Sequence, residues 1–174
     1  MVSSAPNAAE TTAALVQPLA EALLARGWML ATAESCTGGL IAGACTDLAG
    51  SSAWFERGFV SYSNAAKSQM LGLDAALIAQ HGAVSEPVAR AMAQGASQQA
   101  QTQVALAVTG VAGPGGGSAD KPVGTVWFGW AVDGRVLSEV QHFAGDRAAV
   151  RDATVRHSLQ RLLELLLTPA THKA

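Results

Sequence analysis

Three side chains of this sequence could together perform nucleophilic chemistry: the hydroxyl of Ser35, the amine of Lys67 and the phenol of Tyr62. A serine without a neighbouring histidine can be activated by a lysine if desolvation lowers the lysine pKa, because the neutral amine then accepts the hydroxyl proton. Lys67 falls in the first turns of a predicted helix, where the helix macrodipole also disfavours the ammonium form. The alternative is that Lys67 is a solvated surface lysine and Tyr62 a half-buried strand residue.

Ser35 lies in a glycine-bearing stretch, residues 32–39, with the sequence Thr-Ala-Glu-Ser-Cys-Thr-Gly-Gly. This stretch joins a short apolar run to a helical segment, so we expect Ser35 at the tip of a strand. Gly38 and Gly39 remove side chains that would block a ligand, and the free N–H groups of the first helical turn are expected to face an anion or a developing oxyanion. The alternative is a plain strand-to-helix turn in which Ser35 caps the helix.

A second glycine-rich segment covers residues 110–122 and reads Gly-Val-Ala-Gly-Pro-Gly-Gly-Gly-Ser-Ala-Asp-Lys-Pro. It follows an apolar run at residues 104–109, which is typical of a central buried strand. A loop at the end of such a strand is well placed for ligand contact. The alternative is that the glycines supply only flexibility.

The predicted elements alternate strands with helices and end in a hairpin. Leu15, Leu19 and Leu23 form one apolar stripe of a first helix, which Pro18 is expected to kink or shorten. An Asp-Gly pair at residues 133–134 accepts the positive φ angles of a type I′ hairpin turn. The predicted strands span residues 28–32, 58–62, 104–109, 124–132 and 135–143, and the further helices span residues 40–48, 65–71, 74–80, 85–101 and 145–167.

This order predicts an α/β fold, a three-layer α/β/α sandwich around a mixed, mostly parallel sheet of about five strands, with a C-terminal hairpin and helix. We expect one domain over residues 1–174, with flexible ends at residues 1–10 and 168–174. Ligands of such sheets bind beyond the carboxyl ends of the parallel strands. Three segments are expected at that edge: residues 34–39, 62–67 and 109–117.

The composition argues against several classes of protein. The 174 residues carry a net charge of −2, with 14% charged and 49% hydrophobic residues, and show no basic stripe for nucleic acid. No run approaches the roughly 18 to 20 apolar residues of a membrane span, and Cys36, Cys45 and the four histidines show neither a disulfide nor a metal pattern. We therefore expect a cytoplasmic protein that binds neither nucleic acid nor membrane. Its low charge favours a surface covered by a second copy of the chain.

The sequence also resembles the CinA carboxy-terminal domain family, whose stand-alone members are nicotinamide-nucleotide amidases. The resemblance extends from about residue 15 to residue 167, and its motifs occur in family order. One small departure lies in the glycine-rich segment, where Asp120 supplies the acidic residue before the lysine. The motifs are TAESCTGG at residues 32–39, GFVSYSN at 58–64 with Lys67, GAVSE at 82–86, TGVAGPGG at 109–116, KPVGTV at 121–126 and FAGDR at 143–147.

The resemblance implies a stand-alone, commonly dimeric enzyme that uses no metal or other cofactor. It would hydrolyse the carboxamide of nicotinamide mononucleotide to nicotinic acid mononucleotide and ammonia, with Ser35 as nucleophile, Lys67 as base and Tyr62 relaying a proton. N–H groups near residues 37–39 or Gly110 would hold the oxyanion. The residues expected to bind substrate are Thr37, Gly38, Gly39, Thr109, Gly110, Gly113, Gly115, Gly116, Ser118, Lys121 and Arg147, and the loop glycines, Ser118, Lys121 and Arg147 are the candidates for its phosphate.

Two other interpretations of the same residues stay open at this point. One is a catalytically silent nucleotide-binding or regulatory protein that uses the glycine segments as an anion cradle. The other is an amidase for a different small amide. Binding without turnover would indicate the first, and release of ammonia from another amide would indicate the second.

Overall fold

The computed structural model describes residues 11–168 of the chain. Apart from Thr168, our expectation of flexible ends at residues 1–10 and 168–174 lies outside this range. Thr168 is held at the end of the last helix, because its N–H and its hydroxyl donate to the Glu164 carbonyl at 3.0 and 2.8 Å.

The described chain contains the strands β1 (Leu30–Glu34), β2 (Phe55–Val60), β3 (Val104–Gly110), β4 (Thr125–Val132) and β5 (Arg135–His142). Its α-helices are α1 (Thr12–Leu24), α2 (Leu40–Thr46), α3 (Asn64–Leu71), α4 (Ala75–His81), α5 (Glu86–Ala100) and α6 (Arg147–Leu167). The strands form one sheet in the order β2-β1-β3-β4-β5. β1 pairs in parallel with β2 and β3, whereas β4 runs antiparallel to β3 and β5.

Helices cover both faces of this sheet, which confirms the predicted three-layer α/β/α fold. α1, α2 and α6 pack on one face, around a core that includes Leu19, Trp54 and Phe128. α3, α4 and α5 pack on the other face, where alanines make up much of the core. α5 comes close to the sheet, since a Cβ on Gly129 of β4 would overlap the Ala89 carbonyl of the helix. Within residues 11–168, no helix combines the length and apolar character that crossing a bilayer requires.

Two strand boundaries differ from the sequence prediction. β1 begins and ends two residues later than predicted. β2 and β3 pair with it on both sides, and the helices on both faces of the sheet bury all five of its residues. β2 spans Phe55–Val60 rather than residues 58–62, and the sequence misplaced it because the largely exposed residues of this edge strand give a weak apolar pattern. The hairpin is as predicted, with positive φ angles at Asp133 and Gly134. Pro18 lies inside α1, which continues to Leu24.

Candidate active site

Ser35 lies directly after β1, the middle strand of the parallel part of the sheet. Its N–H donates to the Val108 carbonyl of β3 at 3.1 Å. On the other side of β1, the Ser61 N–H donates to the Glu34 carbonyl at 2.9 Å. These two bonds continue the sheet past the strand ends, so the backbone around Ser35 is fixed from both sides.

The amine of Lys67 reaches Ser35 from the first turn of α3. Its Nζ lies 3.0 Å from Ser35 Oγ, 3.0 Å from the Ser61 carbonyl oxygen and 3.1 Å from the Tyr62 carbonyl oxygen. Only 1% of Lys67 is exposed. Because burial penalises the ammonium form, it lowers the pKa of this amine below its ordinary 10.5.

Lys67 Nζ has three oxygen neighbours, one for each N–H of an ammonium, and in the neutral amine two N–H donors and one lone pair would face the same three atoms. The carbonyl oxygens of Ser61 and Tyr62 can accept both N–H groups, which leaves the lone pair for the Ser35 hydroxyl. Ser35 Oγ can then donate its proton to Nζ. General-base activation of a hydroxyl requires this arrangement.

The carboxylate of Glu34 occupies the N-terminus of α2, where we expected a ligand anion. Its Oε1 accepts from the Ile41 N–H at 2.8 Å and from the Thr37 hydroxyl at 2.6 Å, and its Oε2 accepts from the Ala42 N–H at 2.9 Å. The expectation was wrong because a buried carboxylate of the protein itself satisfies these donors and complements the helix macrodipole. The hydroxyl of Thr37, a residue that we expected to bind substrate, therefore donates to Glu34 instead.

We define residues 34–39 as the nucleophile turn. Its two glycines shape the backbone between β1 and α2. Gly39 holds the N-cap position of α2 with a φ of +102°, so Ser35 is not the helix cap. Gly38 donates its N–H to the Ser35 carbonyl at 3.1 Å. Gly39 also faces a separate cavity of about 470 Å³ between α1, α2 and α6, away from the serine hydroxyl.

Arg151 of α6 contacts the nucleophile turn from outside the sheet. Its Nε donates to the Cys36 carbonyl at 3.1 Å, and its Nη2 donates to the Thr37 carbonyl at 3.2 Å. We did not predict this residue or Glu34. The signal for Arg151 was its spacing of four from Arg147, which places both on one helix face.

Cys36 is not a competing nucleophile. Burial raises the pKa of its thiol to about 11, so the thiolate is scarce near neutral pH. The neighbouring hydroxyl of Ser35 lies 3.0 Å from the amine of Lys67. Of the two neighbouring side chains, Ser35 is therefore the one that an amine contacts.

A polar cavity of about 240 Å³ opens in front of Ser35. All three segments that we expected at this edge of the sheet contribute to it. A second cavity, of about 650 Å³, adjoins the first and shares Ala112 and Arg147 with it. The first cavity is lined by Ser35, Cys36, Tyr62, Asn64, Lys67, Ala83, Val84, Thr109, Gly110, Ala112 and Arg147.

Arg147 and Tyr62 stand together at the junction of the two cavities. Arg147, the first residue of α6, donates from Nη1 to the Gly113 carbonyl at 2.9 Å, and its Nη2 lies 3.5 Å from the Tyr62 hydroxyl. Tyr62 is 61% exposed, and its link to Lys67 is through its backbone carbonyl. The phenol is thus placed beside the arginine at the mouth of the site.

Thr109 and Gly110 line the first cavity at the end of β3, although each has a structural contact as well. Thr109 Oγ1 donates to the Ala83 carbonyl at 2.8 Å and so joins β3 to the segment before α5. A Cβ on Gly110 would come within 2.7 Å of Val126 Cγ2, so the packing of β4 requires glycine here. The backbone of Gly110 can therefore approach a ligand without an intervening side chain.

The direction of the Gly110 N–H follows from strand geometry. The Val108 carbonyl accepts from the Ser35 N–H, whereas the Val111 N–H donates to β4. Because successive residues of a strand point their hydrogen-bonding groups to opposite sides, the Gly110 N–H lies on the Ser35 side of β3. It is the next donor beyond the carbonyl that binds the serine.

The glycine loop, which we define as residues 113–121, contributes less to the cavities than we expected. Ser118 Oγ accepts from the Lys121 N–H at 3.1 Å, and Lys121 Nζ donates to the His81 carbonyl at the end of α4 at 3.0 Å. Gly115 and Gly116 are exposed. The loop reaches the cavities at its start, where the Gly113 carbonyl accepts from Arg147 and Pro114 lines the larger cavity.

These features describe an α/β protein with a serine–lysine pair in a polar cavity at the carboxyl edge of its sheet. The model of the CinA C-terminal domain matches residues 12–166, and the chain belongs to this family. It is similar to the nicotinamide-nucleotide amidohydrolase PncC of Enterobacter agglomerans, with 60% identity over 143 residues that cover 82% of this chain and 87% of the relative. The protein of the same name from Escherichia coli (strain K12) is 53% identical over 154 residues, which cover 88% of this chain and 93% of the relative.

Solved structures give the same answer for the fold. The competence-damaged protein (CinA) superfamily protein from Escherichia coli aligns with a TM-score of 0.88 and 39% identity over 94% of each chain. A CinA superfamily protein from Klebsiella pneumoniae aligns with a TM-score of 0.86 and 41% identity, covering 90% of this chain and 98% of its own. The mixed five-stranded sheet with helices on both faces is thus the fold of this superfamily.

Proposed function

We propose that this protein is a nicotinamide-nucleotide amidase, which hydrolyses the carboxamide of nicotinamide mononucleotide to nicotinic acid mononucleotide and ammonia. Two observations support the proposal. Relatives that match more than four fifths of the chain at 53–60% identity carry this activity in their names. The contact of 3.0 Å between Ser35 Oγ and a buried lysine amine supplies a nucleophile and its base, and it is the single observation that carries the chemistry.

In the first half of the reaction, Lys67 Nζ takes the Ser35 proton while Ser35 Oγ attacks the carboxamide carbon. The carbonyl oxygen becomes the oxyanion of a tetrahedral intermediate. When this intermediate collapses, the carbon–nitrogen bond breaks and the leaving nitrogen receives the proton from the Lys67 ammonium, with the Tyr62 hydroxyl as relay. Ammonia leaves, and the nicotinoyl group remains as an ester on Ser35.

In the second half, neutral Lys67 takes a proton from water, and the resulting hydroxide attacks the ester carbon. The bond to Ser35 Oγ breaks, the serine regains a proton from the Lys67 ammonium, and the carboxylic acid product ionises. The lowered pKa of Lys67 favours both halves, because the same nitrogen must accept a proton and then return it.

The oxyanion needs N–H donors close to Ser35. We assign this role to the Gly110 N–H, on the strand side, and to a backbone N–H of the nucleophile turn. Gly38 and Gly39 are left out, because the Gly38 N–H already donates to a carbonyl and Gly39 faces a different cavity.

Arg147 is our candidate for the phosphate of the substrate. It stands where the cavity of about 240 Å³ meets the one of about 650 Å³, so the carboxamide can enter the first while the phosphate lies in the second. A guanidinium binds phosphate oxygens through charge-assisted hydrogen bonds. Ser118 and Lys121 are left out of this role, because each already bonds within the loop or to α4.

The proposal is tested by following ammonia release from nicotinamide mononucleotide, free nicotinamide and simple amides. Ser35→Ala should lower the rate with the mononucleotide on the order of 10⁴-fold or more. Ser118→Ala is the matched control and should retain the parent rate. Parent-like turnover by Ser35→Ala would refute the nucleophile, binding without turnover would indicate a regulatory protein, and preference for another amide would change the substrate.

A homodimer in the cytoplasm is also part of the proposal. The low content of charge supports a covered surface, as do the exposed apolar side chains of Leu40 and Val60, which are 45% and 46% exposed. Val60 adjoins Gly39, the residue before Leu40, so the two side chains lie in one region beside the edge strand. Light scattering of the purified protein should give about twice the mass of one chain, and a single-chain mass would contradict the dimer.

A further inference from the structure

Asn64 is a polar residue of the cavity in front of Ser35 that the protein itself does not use. The side chains of Ser35, Lys67, Thr109 and Arg147 each contact another group of the protein. The side-chain amide of Asn64, by contrast, forms no hydrogen bond with any residue of the described range 11–168. Its oxygen and its nitrogen are therefore both available to a ligand in the cavity.

Asn64 is not needed as the cap of α3. Asparagine is a common helix cap, but the cap of this helix is Ser63, whose Oγ accepts from the Ala66 N–H at 3.0 Å. Asn64 is the first residue of the helix, and Lys67 follows three positions later, so both side chains lie on one face of α3. The free amide is thus one helical turn from the amine that contacts the nucleophile.

The strand order places Asn64 on a defined side of the nucleophile. In the order β2-β1-β3, Ser35 follows the middle strand, Gly110 ends β3 on one side, and α3 follows β2 on the other side. The oxygen and the nitrogen of a carboxamide diverge from the carbon that Ser35 Oγ attacks. When the oxygen turns toward the Gly110 N–H, the nitrogen therefore turns toward α3, which carries Lys67 and Asn64.

A carboxamide can also enter such a site with its two ends exchanged, because its oxygen and its NH2 group are similar in size. Hydrogen bonding separates the two orientations, since the oxygen accepts and the NH2 group donates. The Gly110 N–H is a donor on the β3 side, so the α3 side needs an acceptor. The carbonyl oxygens of Ser61 and Tyr62 already contact the Lys67 amine there, whereas the side-chain oxygen of Asn64 is free.

We propose that Asn64 is a specificity-determining residue, whose side-chain oxygen accepts a hydrogen bond from the NH2 group of the substrate's carboxamide. This inference rests on the amidase function proposed above and names the contact that selects a primary carboxamide. The bond holds the leaving nitrogen on the α3 side, where Lys67 returns its proton. In the exchanged orientation the NH2 group would face the Gly110 N–H, and two donors would oppose each other.

The experiment compares nicotinamide mononucleotide with the methyl ester of nicotinic acid mononucleotide, which keeps the ring, ribose and phosphate but has no N–H at the reacting group. kcat/KM is measured by release of ammonia from the amide and of methanol from the ester. Asn64→Ala should lower kcat/KM for the amide about 5- to 20-fold, because one hydrogen bond to the reacting group is lost. It should not lower kcat/KM for the ester, whose methoxy group has no proton to donate.

Asn64→Asp is the conservative variant, because it keeps an acceptor oxygen at the same position. Measured on the plateau of its own pH profile, its preference for the amide over the ester should stay within about threefold of the parent. Gln69→Ala is the matched control, since Gln69 is an exposed residue of the same helix that does not line the cavity in front of Ser35. It should retain the parent kcat/KM for both substrates.

Several results would overturn the assignment. Equal losses on the amide and the ester would mean that Asn64 contacts a part that both substrates share, and a parent-like rate with the amide in Asn64→Ala would remove the contact altogether. A folding defect in Asn64→Ala would lower the melting temperature, and a lost amide preference in Asn64→Asp would then refute the inference.

The two proposals can fail separately. If Ser35→Ala is inactive but Asn64→Ala is fully active, only the role of Asn64 fails. If the parent acts on a different primary carboxamide, the same comparison is made with that amide and its methyl ester. A parent that cleaves no primary carboxamide would refute the proposed function and the role of Asn64 together.

Discussion

The nucleophile turn and the glycine loop lie at the same edge of the sheet and both contain glycines, yet they are built in different ways. In the turn, the Thr37 hydroxyl donates to the Glu34 carboxylate, which also accepts two backbone N–H groups of α2. The Arg151 guanidinium donates to two backbone carbonyls of the turn, and residues 34–37 are buried. In the glycine loop, residues 114–120 are exposed, and the bonds between Ser118 and Lys121 stay inside the loop.

The difference shows which of the two segments can support a reaction. Charged and hydroxyl groups hold the turn to one geometry, and a nucleophile must keep its distance to base and oxyanion donors within a fraction of an ångström. The glycine loop can adjust around a substrate, because few side chains constrain it. Its Gly113 carbonyl contributes mainly by holding Arg147 in place.

The largest expected contrast is between the lysines of the two regions. Lys67→Met should lower kcat about 10²- to 10⁴-fold, because it removes the base without emptying the buried site. Lys121→Met should leave kcat within about threefold, because its amine contacts the end of α4 rather than the reacting groups. Stopped-time ammonia assays at saturating substrate measure both. Equal losses would mean that the glycine loop carries the chemistry as well.

A second contrast concerns binding. Arg147→Met should raise KM for nicotinamide mononucleotide about 10- to 100-fold, because it removes a charge-assisted contact with phosphate. KM for nicotinamide riboside should change little. The ratio of the two KM values, parent against variant, is the measurement. A parallel rise for both substrates would show that Arg147 acts by shaping the cavity rather than by binding phosphate.

The pH dependence should follow Lys67. Its pKa lies below 10.5 in the folded protein, and the neutral form is the base, so kcat/KM should rise with pH through that lowered pKa. Between it and 10.5 the unfolded chain binds more protons, so the free energy of unfolding should rise by up to about 1.4 kcal/mol per pH unit relative to Lys67→Met. Denaturant titrations at several pH values check the sign. A difference that falls with pH would contradict a buried, neutral amine.

The smallest effect is expected in the glycine loop itself. A Cβ on Gly115 would meet nothing within 4 Å, so Gly115→Ala should change stability by less than about 0.5 kcal/mol. The rate should stay close to that of the parent. Urea denaturation and the ammonia assay measure the two quantities. A large loss of activity in a stable Gly115→Ala protein would place a ligand against this loop after all.

The sequence predicted most of the fold because its local signals agree with one another. The apolar run before Thr109, the Asp-Gly hairpin and the leucine stripe of α1 each indicate one element, and their order leaves one sheet architecture. The boundaries of β1 and β2 were less predictable. Burial on both sides of β1 and the edge position of β2 are tertiary features that residue types express weakly.

The candidate site was predictable in its reacting groups and less so in its supports. Ser35 and Lys67 are 32 positions apart, and their expected meeting rested on both following strands of one parallel sheet. The sequence does not predict which group accepts the N–H donors of α2, because a glutamate at the end of a strand is usually exposed and nothing in its residue type indicates burial. Arg151, 115 positions from Cys36, depends on how α6 packs against the turn.

The carbonyl oxygens that hold the Lys67 amine belong to the main chain of Ser61 and Tyr62. Every amino acid presents the same oxygen at these positions, so a single replacement of either side chain leaves the cradle of the amine in place. The serine and the lysine must therefore be kept by selection on their own identities, whereas residues 61 and 62 are free to diverge as far as this cradle is concerned. A library of variants at residue 61, whose side chain has no assigned part in the reaction, should accordingly yield active enzymes more often than one at residue 35 or 67.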